Sequence, residues 1–208
     1  MNPDDRQYRD ECRRFETALR TEPQNDDLHF RYANLLREHG DVDQAVPHYE
    51  SALSINPRHA EAHHNYGLLL KKLGRLQDAR GQYEAALSIE PQSAQAAANL
   101  ARLSAIRGDV ESAIDNALRA IRLRSLPDNG FRITGWFARR HADLERVVAD
   151  TRASTERRGG ALAILIAERP ENAAEVVAML DDDPAFPDAG RVCSEILEIW
   201  NAQPTEND

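Results

Sequence analysis

Apolar residues recur at helical spacing along the first 126 residues of the chain. Four of them share one stripe, namely Tyr66, Leu69, Leu70 and Leu73. Four others share the next stripe, namely Ala79, Tyr83, Ala86 and Leu87. Gly74 separates the two, and glycine is favoured where a helix ends. The pattern predicts two amphipathic helices joined by a short turn.

The same pattern returns along the chain at a fixed interval. Tyr49–Pro57 (YESALSINP) aligns with Tyr83–Pro91 (YEAALSIEP) without gaps. A third copy runs from Leu100 to Leu123, and a half copy runs from Phe15 to Pro23. Because one pair of helices cannot bury its apolar face alone, we expect the copies to stack into a continuous core.

This period and pattern resemble the tetratricopeptide repeat, a helix–turn–helix unit with spaced glycine, tyrosine, alanine and proline. The resemblance is clear over residues 25–126, with a half repeat at residues 9–23. The matching positions are Tyr32, Ala33, Gly40, Ala45, Tyr49, Ala52 and Pro57, and then Tyr66, Gly67, Gly74, Ala79, Tyr83, Ala86 and Pro91. The third copy departs at its end, where Ser125 replaces the proline. The resemblance implies an all-α repeat solenoid, coiled as a right-handed superhelix with a concave groove.

Three parts are predicted along the chain. Residues 1–24 form a half-repeat or capping helix, and residues 25–127 form three repeats. Residues 128–208 form a degenerate fourth repeat and a helical cap, which repeat arrays need at their ends. Within this last part, helices are predicted for GGALAILIAER, PENAAEVVAML and DAGRVCSEILEIW. Residues 181–187 contain two prolines and three aspartates and are predicted to form a loop.

The net charge of −9 lies mostly in residues 169–208, which carry two basic and ten acidic side chains. This acidity argues against nucleic acid as a partner, because attraction to phosphates supplies most of that affinity. The longest apolar run, residues 161–167, is too short for a membrane span, and the acidic N-terminus does not resemble a secretory signal. Cys12 and Cys193 form neither a disulfide framework nor a spaced metal site. We therefore expect a cytoplasmic protein.

Ligands of the family that this chain resembles lie along the concave groove, on the first helix of each pair. Carried over to this sequence, the groove holds eight basic residues against three acidic ones, provided that residues 128–141 form a fourth first helix. Asparagines at equivalent places can hold an extended peptide, since an amide both donates and accepts hydrogen bonds. The predicted peptide-binding residues are Asn34, Asn65, Asn99, Arg31, His64, Lys71, Lys72 and Arg102.

Other kinds of site are less well supported. Chaperone-binding members of the family hold a C-terminal carboxylate with two asparagines and several cations. Asn34 and Asn65 match those asparagines, but Phe30, Gln95 and Asn99 replace the cations. His59 and His63 have a spacing that can bind zinc, although no cysteine lies near them. We expect no cofactor, no metal and no catalytic set, and hence no enzyme.

The leading hypothesis is an interaction scaffold that binds an extended acidic segment of a protein partner in a basic groove. The alternative is an accessory or regulatory subunit of an enzyme or assembly complex, docking through its C-terminal helices. An enzyme built in residues 128–208 is disfavoured, because that region offers no recognisable catalytic set. The acidic end could also cover the groove of the same or a neighbouring molecule, and the sequence leaves a homo-oligomer open.

Overall fold

A computed structural model describes residues 3–123, 141–150, 152–168, 191 and 193–195 of the chain. The chain divides into two compact units, residues 1–91 and residues 92–208. The first unit contains five helices, α1 Pro3–Thr21, α2 Asp26–His39, α3 Val42–Ile55, α4 Ala60–Lys72 and α5 Leu76–Ile89. The described residues of the second unit form α6 Ala94–Arg107, α7 Val110–Arg122, α8 His141–Ala149 and α9 Thr155–Glu168.

The ends of the helices repeat along the chain as the sequence does. The side chains of Asn25, His59 and Ser93 each accept a hydrogen bond from a main-chain N–H in the first turn of the helix that follows. Gly40, Gly74 and Gly108 have φ of 89°, 75° and 83°, the left-handed conformation that closes a helix and favours glycine. The prediction of paired helices separated by these glycines is confirmed.

Small side chains let the paired helices of the first unit approach closely. Ala45, Ala52 and Ala79 are completely buried. At Gly67 a Cβ atom would lie 2.7 Å from Cε1 of Tyr83, so α4 and α5 touch there without a side chain between them. Leu73 was placed in the same apolar stripe as Tyr66, Leu69 and Leu70, but unlike them it is exposed, by 37%. It lies at the C-cap of α4, beyond the last turn that faces the core.

The first helix is longer than the half repeat in the sequence. It begins at Pro3, a residue that suits the first helical position because it has no N–H to leave unpaired. The added turns are held by Tyr8, whose ring stacks on His39 with the centroids 4.0 Å apart. The hydroxyl of Tyr8 also donates a hydrogen bond to Asp41. Helix α1 therefore joins the repeat that follows it.

The core of the second unit lies where α6, α7, α8 and α9 pack together. Ala101 of α6, Ile114 of α7, Leu144 of α8 and Ile164 of α9 are all completely buried there. The helix predicted for GGALAILIAER is confirmed as part of α9. Four predicted features lie wholly or largely outside the described residues: the fourth first helix at 128–141, the helix PENAAEVVAML, the loop 181–187 and most of DAGRVCSEILEIW.

Candidate functional site

The side chains of two predicted site residues meet in the first unit. Asn34 is on α2 and Asn65 is on α4, and both are half-buried. The Nδ2 group of Asn65 donates a hydrogen bond of 3.0 Å to Oδ1 of Asn34. We call the surface that carries Asn34, Arg37, His64, Asn65 and Lys71 the amide face.

A buried tyrosine fixes the orientation of the Asn34 amide. The Arg37 guanidinium can only donate, and its Nε lies 3.2 Å from the hydroxyl of Tyr49, which must therefore accept. Burial raises the pKa of Tyr49 to about 12, so the hydroxyl keeps its own proton. That proton is donated to Oδ1 of Asn34, 2.5 Å away. The carbonyl oxygen of Asn34 is thus turned inward and accepts from both Tyr49 and Asn65.

This network leaves the Nδ2 group of Asn34 as a donor and Oδ1 of Asn65 as an acceptor for a ligand. Within the described part of the chain, no hydrogen bond reaches Nδ2 of Asn34 or Oδ1 of Asn65. A peptide unit offers one C=O acceptor and one N–H donor. The amide pair therefore presents the groups that complement a single peptide unit, and it holds them in place through Tyr49.

The amide face also carries two cationic side chains and a histidine. Arg37 and Lys71 occupy equivalent positions in successive repeats, and His64 lies between them in sequence. Burial lowers the pKa of His64, and the positive charges of Lys71 and Arg37 lower it further. His64 is therefore neutral at pH 7, although it lies within electrostatic range of two cations. Its ring meets that of Tyr83 edge-on, with the centroids 5.9 Å apart.

The positive charge is more local than the sequence suggested. Arg31 forms an ion pair of 3.6 Å with Asp27, and Arg37 forms one of 3.2 Å with Glu38. Both acidic residues were counted in the predicted groove. On α4, Lys71 is half-buried and the neighbouring Lys72 is exposed.

The remaining predicted residues belong to the second unit. Asn99 and Arg102 are on α6, where Asn99 is half-buried and Arg102 is exposed. Residues 128–141 were predicted to form the first helix of a fourth repeat and to add arginines to the groove. They lie almost wholly outside the described residues. Among the eight predicted residues, the structure thus brings Asn34, Asn65, His64 and Lys71 together on the amide face.

The role of Tyr49 was not predicted from the sequence. Its position matched a core position of the repeat, and its ring is indeed completely buried. The sequence feature that could have revealed this role is that Tyr49 and Asn34 occur in the same repeat. In the next repeat the position equivalent to Asn34 is occupied by Leu68, whose side chain cannot form a hydrogen bond with a tyrosine. Only a polar residue at that position gives the tyrosine hydroxyl a partner that a ligand can reach.

The two histidines with zinc-like spacing have structural partners. Nδ1 of His59 accepts from the main-chain N–H of Ala62. His63 contacts Oε1 of Gln82 at 2.7 Å and the carbonyl oxygen of Pro57 at 3.0 Å. Among the described residues, no group of three or more histidine, cysteine or acidic side chains is placed to hold a metal ion.

These paired, regularly capped helices define a helical repeat protein. Two tetratricopeptide repeat family models match the chain, one over residues 36–103 and the other over residues 15–46. Residues 15–103 of this chain are therefore tetratricopeptide repeats. A search of curated proteins gives no significant match.

Solved structures with the same fold cover nearly the whole chain. YrrB, a TPR protein with an unusual peptide-binding site, is 16% identical, with a TM-score of 0.55 over 91% of this chain and 93% of its own. PilW, a widely conserved type IV pilus biogenesis factor, is 21% identical, with a TM-score of 0.55 over 96% and 93%. PilF of Pseudomonas aeruginosa is 19% identical, with a TM-score of 0.54 over 90% and 91%. At these identities the likeness shows the fold alone, and it confirms the predicted fold class.

Tetratricopeptide repeats are protein-interaction modules, and this chain is a protein–protein interaction scaffold with a protein as its partner. Proteins built from such repeats generally act as scaffolds rather than as enzymes. Over the residues that the structure describes, no helix combines the length and the apolar character needed to cross a bilayer.

Proposed function

We propose that this scaffold binds an extended, acidic segment of its partner protein on the amide face. Asn34 would donate to a peptide C=O, Asn65 would accept from a peptide N–H, and the cations would attract carboxylates. The observation that carries the proposal is the hydrogen-bonded chain from Arg37 through Tyr49 to Asn34 and Asn65. It holds one donor and one acceptor in place before any ligand arrives, which reduces the ordering cost of binding.

The acidic preference is supported by local charge. The positive charges of Lys71 on α4 and Arg37 on α2 both act on His64, the neighbour of Asn65 in sequence. Attraction between exposed charges is screened by salt, so affinity for an acidic segment should fall as ionic strength rises. The likeness to YrrB, whose structure is described as having a peptide-binding site, is in keeping with this role. Asn99 and Arg102 on α6 are proposed as peptide-binding residues of the second unit.

A displayed library of random peptides, selected on the full chain, tests the proposal. Parallel selections use Asn65→Ala, which removes the acceptor, and Asn34→Asp, which removes the donor and adds a negative charge. Gln44→Ala on the exposed surface of α3 is the matched control. We expect acidic peptides to be enriched by the wild-type chain and the control, and to be lost with both variants. Enrichment of basic peptides, or equal enrichment by all four chains, would overturn the proposal.

A further inference from the structure

A groove lies between α1 and α2 at one end of the amide face. Its volume is about 640 Å³, within the range of ligand-binding clefts. Its apolar lining consists of four half-buried side chains, Phe15, Ala18, Leu28 and Leu35. Two arginines, two glutamates and one asparagine complete the lining, so the groove has no net charge of its own. We call it the N-terminal groove, and its chemistry favours an apolar group.

The wall of this groove is held in place by aromatic contacts. The ring of Phe15 stacks on Tyr32, with the centroids 5.3 Å apart and the planes 8° from parallel. The guanidinium of Arg31 lies 5.9 Å from the centroid of the same ring. Tyr32 is buried, so Phe15 keeps one position and the groove is formed before a ligand enters it.

The groove and the amide pair share a residue. Asn34 lines the groove and also accepts the hydrogen bond from Asn65. Arg37 follows Asn34 by three residues, about one helical turn further along α2, and its Nε is held by Tyr49. The surface therefore changes along its length from apolar, through the two amides, to the cationic side chain of Lys71 beyond the neutral His64.

We propose that the partner segment combines two side chains: an apolar one that enters the N-terminal groove and an acidic one that contacts the cationic end near Lys71. This inference rests on the proposed function, since the amide pair must hold the main chain that connects the two. An extended strand advances about 3.3 Å per residue, so a separation of a few residues spans neighbouring positions on this surface. The recognised partner is thus an extended protein segment with one apolar anchor and one acidic anchor.

Short synthetic peptides test the inference on the full chain. One peptide carries a leucine and a glutamate separated by about two to four serines, a spacing that matches the extended rise. The others replace leucine by serine, glutamate by glutamine, or both. We expect each single replacement to weaken binding at least about fivefold, measured by fluorescence anisotropy.

Variants of the chain locate the two anchors. Ala18→Phe fills the N-terminal groove and is expected to remove the preference for leucine, while affinity for the serine peptide is unchanged. Leu28→Gln makes the groove polar without adding bulk. It is also expected to remove the preference for leucine and to leave affinity for the serine peptide unchanged. Thr17→Phe adds the same bulk on the exposed side of α1 and serves as the control. Lys71→Gln is expected to remove the preference for glutamate and to keep that for leucine.

The outcomes separate this inference from the proposed function. If the wild-type chain binds all four peptides equally and Asn65→Ala still weakens binding, the two-anchor inference is wrong and the proposed function stands. If Ala18→Phe and Leu28→Gln act no differently from Thr17→Phe, the apolar anchor does not lie in the N-terminal groove. If no peptide binds at any spacing, both the inference and the proposed function fail.

Discussion

His29 and His48 face each other through the same ring nitrogen, with their Nδ1 atoms 3.0 Å apart. One repeat later, His63 faces Oε1 of Gln82 in the same way. Nε2 of His29 contacts the carbonyl oxygen of Pro23, which can only accept, so Nε2 carries the proton. Nδ1 of neutral His29 is therefore the acceptor, and Nδ1 of His48 is the donor. A positive charge on His48 would lie directly against the His29 ring, in a partly buried place that disfavours charge.

The histidine pair should make the first unit sensitive to acid. Burial lowers the pKa of His48 and the neighbouring His29 lowers it further, while Glu16 opposes the shift. Because the folded state disfavours the charged ring, its stabilising contribution is present above the unfolded pKa and is lost as pH falls below it. We expect the free energy of unfolding to decrease as pH falls below about 6.5, the ordinary pKa of histidine, because the partly buried ring of His48 disfavours charge.

The second repeat supplies the matched control for this prediction. His48→Gln copies the pairing of His63 with Gln82 and should remove that part of the pH dependence. Gln82→His copies the first repeat and should add a similar dependence to the second. Urea unfolding at a series of pH values measures both. Identical pH profiles for wild type and His48→Gln would show that the pair does not titrate in this range.

The repeat period allowed α2 to α7 to be predicted, because glycine recurs where each first helix ends and alanine recurs where helices approach. The period could not predict the amide pair. It aligned Asn65 with Asn99, whereas the structure joins Asn65 to Asn34, a residue 31 positions away and at a different place in its repeat. That contact depends on how two helices lie side by side. The repeat spacing specifies which residues are equivalent, and equivalent residues need not touch.

Charge along the sequence was similarly incomplete as a guide to the site. The groove was predicted by counting basic residues, and the count treated Arg31 and Lys71 alike. In the folded chain Arg31 is paired with Asp27, which lies one turn before it on α2. The attraction for acidic ligands therefore depends on the surroundings of each cation in the folded chain, and a linear count does not contain that information.

Removal of the Tyr49 hydroxyl should weaken both the fold and the site. Tyr49→Phe leaves the ring in the core but frees the Asn34 amide to rotate. We expect a loss of about 1 kcal/mol in the free energy of unfolding and a similar loss in the binding energy of acidic peptides, roughly fivefold in affinity. Tyr66→Phe is the control, since its hydroxyl donates to Glu50 at 2.9 Å and lies outside the amide face. It should lower stability without changing peptide affinity, and equal affinities for the two variants would contradict the orienting role of Tyr49.

Binding of an acidic peptide should be coupled to proton uptake at His64. Burial and the charges of Lys71 and Arg37 keep the ring neutral in the free chain, and a bound carboxylate would offset those charges. The pKa of His64 should rise on binding, so affinity should increase as pH falls through the range between the free and bound values. Calorimetry in two buffers of different ionisation enthalpy measures the uptake. His64→Gln should abolish it, and uptake that persists in this variant would assign it to another group.

Two helical glycines should respond oppositely to the same substitution. In Gly67→Ala the new Cβ atom would lie 2.7–3.1 Å from three ring atoms of the buried Tyr83. We expect a net loss of about 1 kcal/mol, because overpacking outweighs the gain in helix propensity. At Gly81 nothing lies within 4 Å of such an atom, so Gly81→Ala should increase stability by about 0.5–1 kcal/mol. Thermal unfolding of both variants measures the difference. Stabilisation by both substitutions would show that α4 and α5 can move apart to accommodate the added methyl group.

Of two adjacent arginines on α9, the more buried one should contribute more to stability. Arg157 contacts Glu111 at 2.5 Å and both oxygens of Asp115 at 2.6 and 3.0 Å, but its side chain is 26% exposed. Arg158 is only 2% exposed, and its Nε donates to the main-chain carbonyl of Val148 at 2.7 Å. That carbonyl lies in the last turn of α8, where main-chain carbonyls lack a partner within the helix.

Because solvent screens an exposed pair, we expect Arg157→Met to cost about 1 kcal/mol at low salt and less at high salt. Arg158→Met leaves a buried carbonyl without this donor and should cost about 2–3 kcal/mol at either salt concentration. Urea unfolding at low and high ionic strength compares the two variants. A larger loss for Arg157→Met would mean that the ion pairs to α7, rather than the buried contact to α8, anchor α9 in the second unit.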